Sequence, residues 1–239
     1  MAITMAANIL TKLLRLDNIK EKGDGKRLLL RYLFSVLGVI IIGLGCGVVV
    51  EMAVGCDTYT CFVRSIWYIL TDIFGEFPFG HINLTSNLVI FLFMIFTKRE
   101  LIGFGTLFNM VTVGYIIDFV HRFFGAFLVP GTELGYVLRI VIILIALPVI
   151  AFGDALYFEA DLGVSPYDGI AFMLEKATKG KVSFKVLRTA SDCFFVVVGF
   201  LLGFVTGKQF ELANVGTVVL AVFTGALIVF WQRVLRKGK

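Results

Sequence analysis

Hydrophobic residues along this chain are gathered into long runs divided by short polar breaks. The runs Leu28–Val50, Leu84–Phe96, Leu138–Phe158, Asp192–Val205 and Ala213–Trp231 carry few charges. Several approach or exceed the roughly 20 helical residues that span a bilayer. The most marked break, Glu159-Ala-Asp-Leu-Gly-Val-Ser-Pro166, is followed by Tyr167–Thr178. As a helix that stretch reaches about 18 Å at 1.5 Å per residue, against roughly 30 Å of hydrocarbon. The pattern therefore predicts a half-helix. Irregular backbone at membrane depth survives only where protein or a water-filled cavity satisfies its polar groups, so this segment is expected to line an interior space.

The order of elements occurs twice. Leu30-Arg31 returns as Leu138-Arg139, Gly45 as Gly153, Glu51 as Glu159, Gly55 as Gly163 and Tyr59 as Tyr167, each pair 108 positions apart. With small length changes, Ser86-Asn87 corresponds to Ser191-Asp192, and Glu100-Leu101, Gly105-Thr106, Gly114 and Phe119 return as Glu211-Leu212, Gly216-Thr217, Gly225 and Phe230. The expected organisation is a basic interfacial segment over 1–26, a first membrane unit over 27–126, a linker over 127–136 with a turn at Pro130-Gly131, and a second unit over 137–239. The fold class is an all-α membrane protein with internal duplication, each unit holding three transmembrane helices and a short re-entrant or broken helix. If the short pieces are re-entrant there are six full spans and the repeats are inverted. If they cross, there are eight spans and the repeats are parallel. The length of Tyr167–Thr178 favours six, as does Lys98-Arg99, which six spans place in the cytoplasm.

Composition agrees with a bilayer as solvent: 59% of the 239 residues are hydrophobic, 16% are charged and the mean hydropathy is +0.94. That is more apolar surface than a soluble domain of this length buries. The formal charge of +5 does not point to nucleic acid, because the basic residues flank apolar runs and form no aromatic-interleaved patch. Lys12, Arg15, Lys20, Lys22, Lys26, Arg27 and Arg31 crowd one end, and Arg233, Arg236, Lys237 and Lys239 the other. The positive-inside rule places both termini in the cytoplasm, with Asn8–Lys22 as an interfacial helix against membrane lipids. The four cysteines fit no zinc spacing, and the sequence leaves a local Cys56–Cys61 disulfide open.

Ionisable groups inside apolar spans are costly, and their positions are the pointers to function. The second unit holds Asp154, Glu159, Asp161, Asp168 and Asp192, together with Ser165 and Tyr167 at the start of the half-helix. Asp154 and Asp161 share a face if their helix persists that far. Asp168 and Ser165 are placed to cap exposed N–H groups, and Asp192 stands one turn after Arg188, where an intrahelical ion pair is the structural alternative to a cavity role. The first unit offers Glu51, Tyr59 and Asn87, with Asp57 and Asn109 nearby. These residues are the expected substrate-binding set, at the interface of two repeats. An acid-rich lining favours a cation, a zwitterion, or coupling to H⁺ or Na⁺, whereas helix N-termini in the same place suit an anion. Gly105-Thr106 and Gly216-Thr217 read as close-packing points between helices.

The string Asp161-Leu-Gly-Val-Ser-Pro-Tyr-Asp168, the following Gly180-Lys-Val-Ser-Phe184, the helix carrying Asp192 and the two Gly-Thr pairs resemble the YczE/YyaS/YitT group of bacterial membrane proteins. The resemblance covers nearly the whole chain after about Leu28. Members usually carry Trp where this chain has Tyr167, and the first unit has Gly-Cys-Asp-Thr-Tyr-Thr in place of Gly-Val-Ser-Pro-Tyr-Asp. The resemblance implies a bacterial cytoplasmic membrane location and a transport role, with no substrate specified. The leading expectation is a secondary transporter or permease for a small solute, which needs a cavity. The alternative is a non-transporting accessory or regulatory membrane protein, which needs none. An enzyme is not expected: His81 and His121 are far apart, no metal-ligand pair at helical spacing occurs, and no nucleophile motif, cofactor motif or Gly-x-x-x-x-Gly-Lys-Ser/Thr loop is present. Homo-oligomerisation is left open.

Overall fold

The computed structural model describes residues 25–127 and 133–237. The expected interfacial helix at Asn8–Lys22 and the turn at Pro130-Gly131 lie outside the described residues. The described chain forms α1 (Gly25–Glu51), α2 (Thr58–Phe74), α3 (Phe79–Thr97), a 3-10 turn (Arg99–Leu101) and α4 (Phe104–Phe127). It continues with α5 (Tyr136–Ala160), α6 (Pro166–Ala177), α7 (Phe184–Thr206), a single helical turn (Gln209–Leu212) and α8 (Val215–Lys237). Six of these helices, α1, α3, α4, α5, α7 and α8, are long and apolar enough to cross a membrane. The 17-residue α2 and the 12-residue α6 are the short pieces.

The surface is what a bilayer requires. Phe74, Phe93, Phe96, Phe119, Phe204 and Phe230 point outward, while Ser35, Thr60, Asn83, Asn87, Thr106 and Thr217 are buried. A water-soluble fold distributes these residues the other way round. The protein is a multi-pass, all-helical membrane protein.

Small residues set the central crossing. α1 packs against α5 and α4, and α5 packs in turn against α8. A Cβ on Gly38 would stand 2.7 Å from the Gly153 carbonyl oxygen, and one on Gly45 would stand 2.4 Å from the Ile150 side chain. The two backbones therefore meet where a side chain would hold them apart, the packing mode that replaces hydrophobic association in lipid. Two further contacts run across the halves, α2 on α7 and α3 on α6, while α3 also packs on α4 and α6 on α7 within them.

The two polar breaks are built alike. After α1, Ala53 takes φ 52° and Gly55 φ 105°; after α5, Asp161 takes φ 47° and Gly163 φ 111°. A side chain is strained at the glycine positions in either break, because that region of φ is open essentially to glycine alone. Each break is hydrogen-bonded to the turn of the other half. Gly216 N–H donates to Val54 O at 3.0 Å and Cys56 N–H to Leu212 O at 3.3 Å; likewise Gly105 N–H donates to Leu162 O at 2.8 Å and Val164 N–H to Leu101 O at 3.1 Å. Thr217 and Thr106 lock their own turns through their hydroxyls, at 3.2 Å to Leu212 O and 3.3 Å to Leu101 O. The Gly-Thr pairs thus clamp the breaks, which satisfies backbone groups that neither lipid nor helix can serve. Cys56 and Cys61, whose pairing the sequence left open, are free buried thiols.

Candidate functional site

The breaks aim the N-termini of α2 and α6 into one cavity of about 540 Å³. Both helix starts are capped by their own side chains. Asp57 Oδ1 accepts the Thr60 N–H at 3.0 Å. Ser165 Oγ accepts the Asp168 N–H at 3.1 Å and donates its hydroxyl to Asp168 Oδ2 at 2.6 Å, while Pro166 occupies the first turn, where its missing N–H costs nothing.

The ring of Tyr59 stacks on that of Tyr167, with centroids 4.9 Å apart and planes at 24°. Phe195 meets both edge-on, at 5.8 and 5.5 Å. The Tyr167 hydroxyl donates to Asp192 Oδ1. Thr58 Oγ1 lies 2.6 Å from the same phenol oxygen and 3.2 Å from Asp192 Oδ1, which closes a three-membered polar knot. Arg188 binds it to α6: it is ion-paired to Asp168, its Nε lies 3.5 Å from Asp192 Oδ1, and its guanidinium sits 4.4 Å from the centre of the Tyr167 ring. Opposite, Asn87 donates to Asn83 O at 2.9 Å, and both amides line the cavity with Asn109.

Of the ten residues expected to bind substrate, seven line this cavity: Asp154, Ser165, Tyr167, Asp168, Asp192, Tyr59 and Asn87. The other three are elsewhere. Helix α5 ends at Ala160, one residue short of Asp161, whose left-handed backbone turns its side chain outward to Arg31 at 3.0 Å, 74% exposed. The shared face that the seven-residue spacing to Asp154 suggests therefore does not form. Glu159 pairs with Arg236 at 2.7 Å, and Glu51 with His121 at 2.5 Å. Each of these two glutamates ties the end of the first helix of its half to the last. The capping and ion-pair alternatives both occur, as Ser165–Asp168 and Arg188–Asp192, without removing either acid from the cavity.

Sequence reasoning named Arg188 only as a partner of Asp192 and left out Tyr157, Asn83 and Thr58, all of which line the cavity. The signals were spacings. Tyr157 follows Asp154 by three, Asn87 follows Asn83 by four, and Arg188 precedes Asp192 by four, the separations that share a helix face. Asp118 was also missed. It reaches from α4 to accept the N–H groups of Phe79 and Gly80 at 2.9 and 2.7 Å, capping α3 from outside. No local sequence signal marks such a cap.

Asp154 differs from the other acids. Among the described residues it has no hydrogen-bond or ion-pair partner, although Asp168, Arg188 and Asp57 lie within electrostatic reach. The Tyr157 and Tyr59 hydroxyls are likewise without partners, although the two residues are only 2% and 8% exposed. Buried polar groups left unpaired are rare enough to require an explanation.

The chain is 27% identical over 197 residues to an uncharacterized protein of Haemophilus influenzae, covering 82% of this chain and 81% of that one. It is 24% identical over 206 residues to the uncharacterized membrane protein YczE of Bacillus subtilis, covering 86% of both. No solved structure matches it. The match to YczE agrees with the likeness carried by the half-helix motif and the Gly-Thr pairs, and residues 29–233 match one family model throughout. The chain belongs to the family of unknown function DUF6198.

Proposed function

We propose that this protein is a secondary transporter or permease that binds a small solute between two inverted repeats, with α2 and α6 as re-entrant half-helices. One observation carries the reading. Residues from both halves surround a cavity that holds two short-helix N-termini and a carboxylate, Asp154, with no partner among the described residues. A non-transporting accessory protein would be expected to pair its polar residues in a closed interior. The open volume and the unpaired groups favour transport, and neither an enzymatic reaction nor a cofactor enters this reading.

Inversion is supported by the matched backbone of the breaks, by the reciprocal clamps, and by the pairing of Tyr59 with its repeat equivalent Tyr167. Under this arrangement both termini are cytoplasmic, and the halves rock about the clamped breaks to open the cavity to either side. Asp154 is the group placed to exchange H⁺ or Na⁺ with solute. The test is uptake into proteoliposomes, screened by counterflow over a metabolite library. Solute movement is expected in the native protein and is expected to be lost in Asp168→Asn and Asp192→Asn, with membrane insertion unchanged. Native uptake in both variants would overturn the reading.

A further inference from the structure

The cavity carries enough chemistry to name a ligand class, an inference that rests on the transport reading above. Among the described residues, four carboxylates line it, Asp57, Asp154, Asp168 and Asp192, against the guanidinium of Arg188, for a formal balance of −3. Among the described residues, the groups that ordinarily attract an anion are already engaged. Arg188 is engaged by Asp168, by Asp192 and by the face of Tyr167. The positive ends of α2 and α6, which are ordinarily good anion sites, are already occupied by Asp57 and by Ser165 with Asp168.

The groups left over can receive a donor: a carboxylate accepts only, and a phenol oxygen accepts as well as donates. Among the described residues, Asp154 accepts from nothing, and the hydroxyls of Tyr157 and Tyr59 are buried without partners. Tyr157 follows Asp154 by three residues on α5, so both stand on the same stretch of helix and both line the cavity. A volume of about 540 Å³ is many times the roughly 30 Å³ share of a water molecule, too large for a bare ion to fill. Much of the rest of the wall is apolar or aromatic, including Ile42, Val113, Phe172 and Leu220.

We propose that the cavity binds an organic ammonium ion: a protonated primary or secondary amine whose N–H groups are accepted by Asp154 and Tyr157, and whose hydrocarbon part lies against the apolar wall. Desolvating the amine costs least here, because the carboxylate and phenol oxygens replace its water and because a cation is favoured by the surplus of negative charge. Aromatic faces nearby add cation–π attraction.

The test uses the purified full chain in nanodiscs, with three amines, phenethylamine, cyclohexylmethylamine and putrescine, against phenethyl alcohol as the neutral isostere and 3-phenylpropionate as the anion. Binding is read by isothermal titration and by thermal shift. At least one amine is expected to bind and the alcohol and anion not. Asp154→Asn is expected to weaken the bound amine at least tenfold. Tyr157→Phe keeps the packed ring and removes one unpaired hydroxyl, so it is expected to fold at least as well as the native protein while losing several-fold in affinity. The proposal is overturned if none of the amines binds, if 3-phenylpropionate or the alcohol binds as tightly as the amine, or if both variants retain native affinity. Counterflow separates the two readings. Amine binding without transport supports the ligand class and removes the transporter; counterflow of the anion instead of the amine supports the transporter and overturns the ligand class.

Discussion

Replacing Arg188 by Gln removes the one cation that, among the described residues, faces the cavity acids, and its cost follows from the geometry. Arg188 Nε stands 3.5 Å from Asp192 Oδ1, and a second ion pair joins the guanidinium to Asp168. At an effective dielectric near 20, unit charges at that separation attract by about 5 kcal/mol. The three side chains are 30%, 18% and 27% exposed, for Arg188, Asp168 and Asp192 respectively, so water screens part of the attraction and part of the desolvation cost is recovered on mutation. A net loss of about 2–3 kcal/mol is expected, below the roughly 3–5 kcal/mol for breaking a fully buried pair. The assay is a double-mutant cycle on reversible unfolding in mixed micelles, with Arg188→Gln, Asp168→Asn and the double variant. The double variant is expected to recover about 1–2 kcal/mol relative to the sum of the singles, because Arg188→Gln leaves Asp168 without its cation and Asp168→Asn leaves Arg188 with Asp192 alone. Additive singles, with a coupling below about 0.5 kcal/mol, would show that the pair does not hold α6 to α7, and the argument for a charge-locked half-helix would fail.

Other perturbations separate the elements of the structure. Gly163→Ala places a Cβ at φ 111°, 2.4 Å from Thr106 Oγ1, and is expected to cost more than about 3 kcal/mol; Gly125→Ala, in a helix with open space at its Cβ, is expected to be neutral or stabilising by up to about 1 kcal/mol. Equal melting temperatures for the two would refute the account of the break. Asp161→Asn keeps a residue type that tolerates the left-handed backbone and loses an exposed ion pair, so stability is expected to change by less than about 1 kcal/mol and solute affinity by less than twofold. A tenfold affinity loss would return Asp161 to the site. A cysteine at Gly75, between α2 and α3, is expected to react with an impermeant thiol reagent from outside intact cells, and one at Gly180, between α6 and α7, only after the membrane is opened. Labelling of both from one side would exclude inverted units.

The sequence carries the spans and the short helix α6 because both are local properties: a run of apolar residues has to be long enough for the bilayer, and Ser-Pro before a short helix marks its start. It carries less of the pairing. Asp154 and Asp161 are spaced for one helix face, yet a single left-handed residue ends α5 before Asp161 and sends that carboxylate to Arg31. Glu51 and Glu159 are equally polar by sequence, but whether they meet the cavity depends on where α4 and α8 run, and those helices bring His121 and Arg236 to them first. The sequence marks Arg188 only as a neighbour of Asp192, one turn away, so its second role, across from Asp168, is invisible until α6 and α7 are packed.

Under the duplicated arrangement proposed here, equivalent positions in the two halves also explain why most of the cavity's charge, Asp154, Asp168, Arg188 and Asp192, comes from the second half, with Asp57 alone from the first among the described residues. Asp57 and Ser165 are equivalent caps, and Tyr59 and Tyr167 are equivalent rings, which touch. Two residues related by a twofold axis meet only beside that axis, so under the inverted arrangement proposed here the stacked tyrosines mark it. Away from the axis the symmetry lapses. Asn83 and Asn87 stand where the second half has Arg188 and Asp192, and Cys46 stands where it has Asp154. Under the transport reading proposed above, rocking requires matching scaffolds, and the clamps and breaks match; recognition of a polar solute requires unlike walls, and these cavity positions differ. Under the ligand class proposed above, a molecule with one cationic end and one neutral end then has a favoured orientation, with its charge toward Asp154 and its uncharged part toward the amides of the first half.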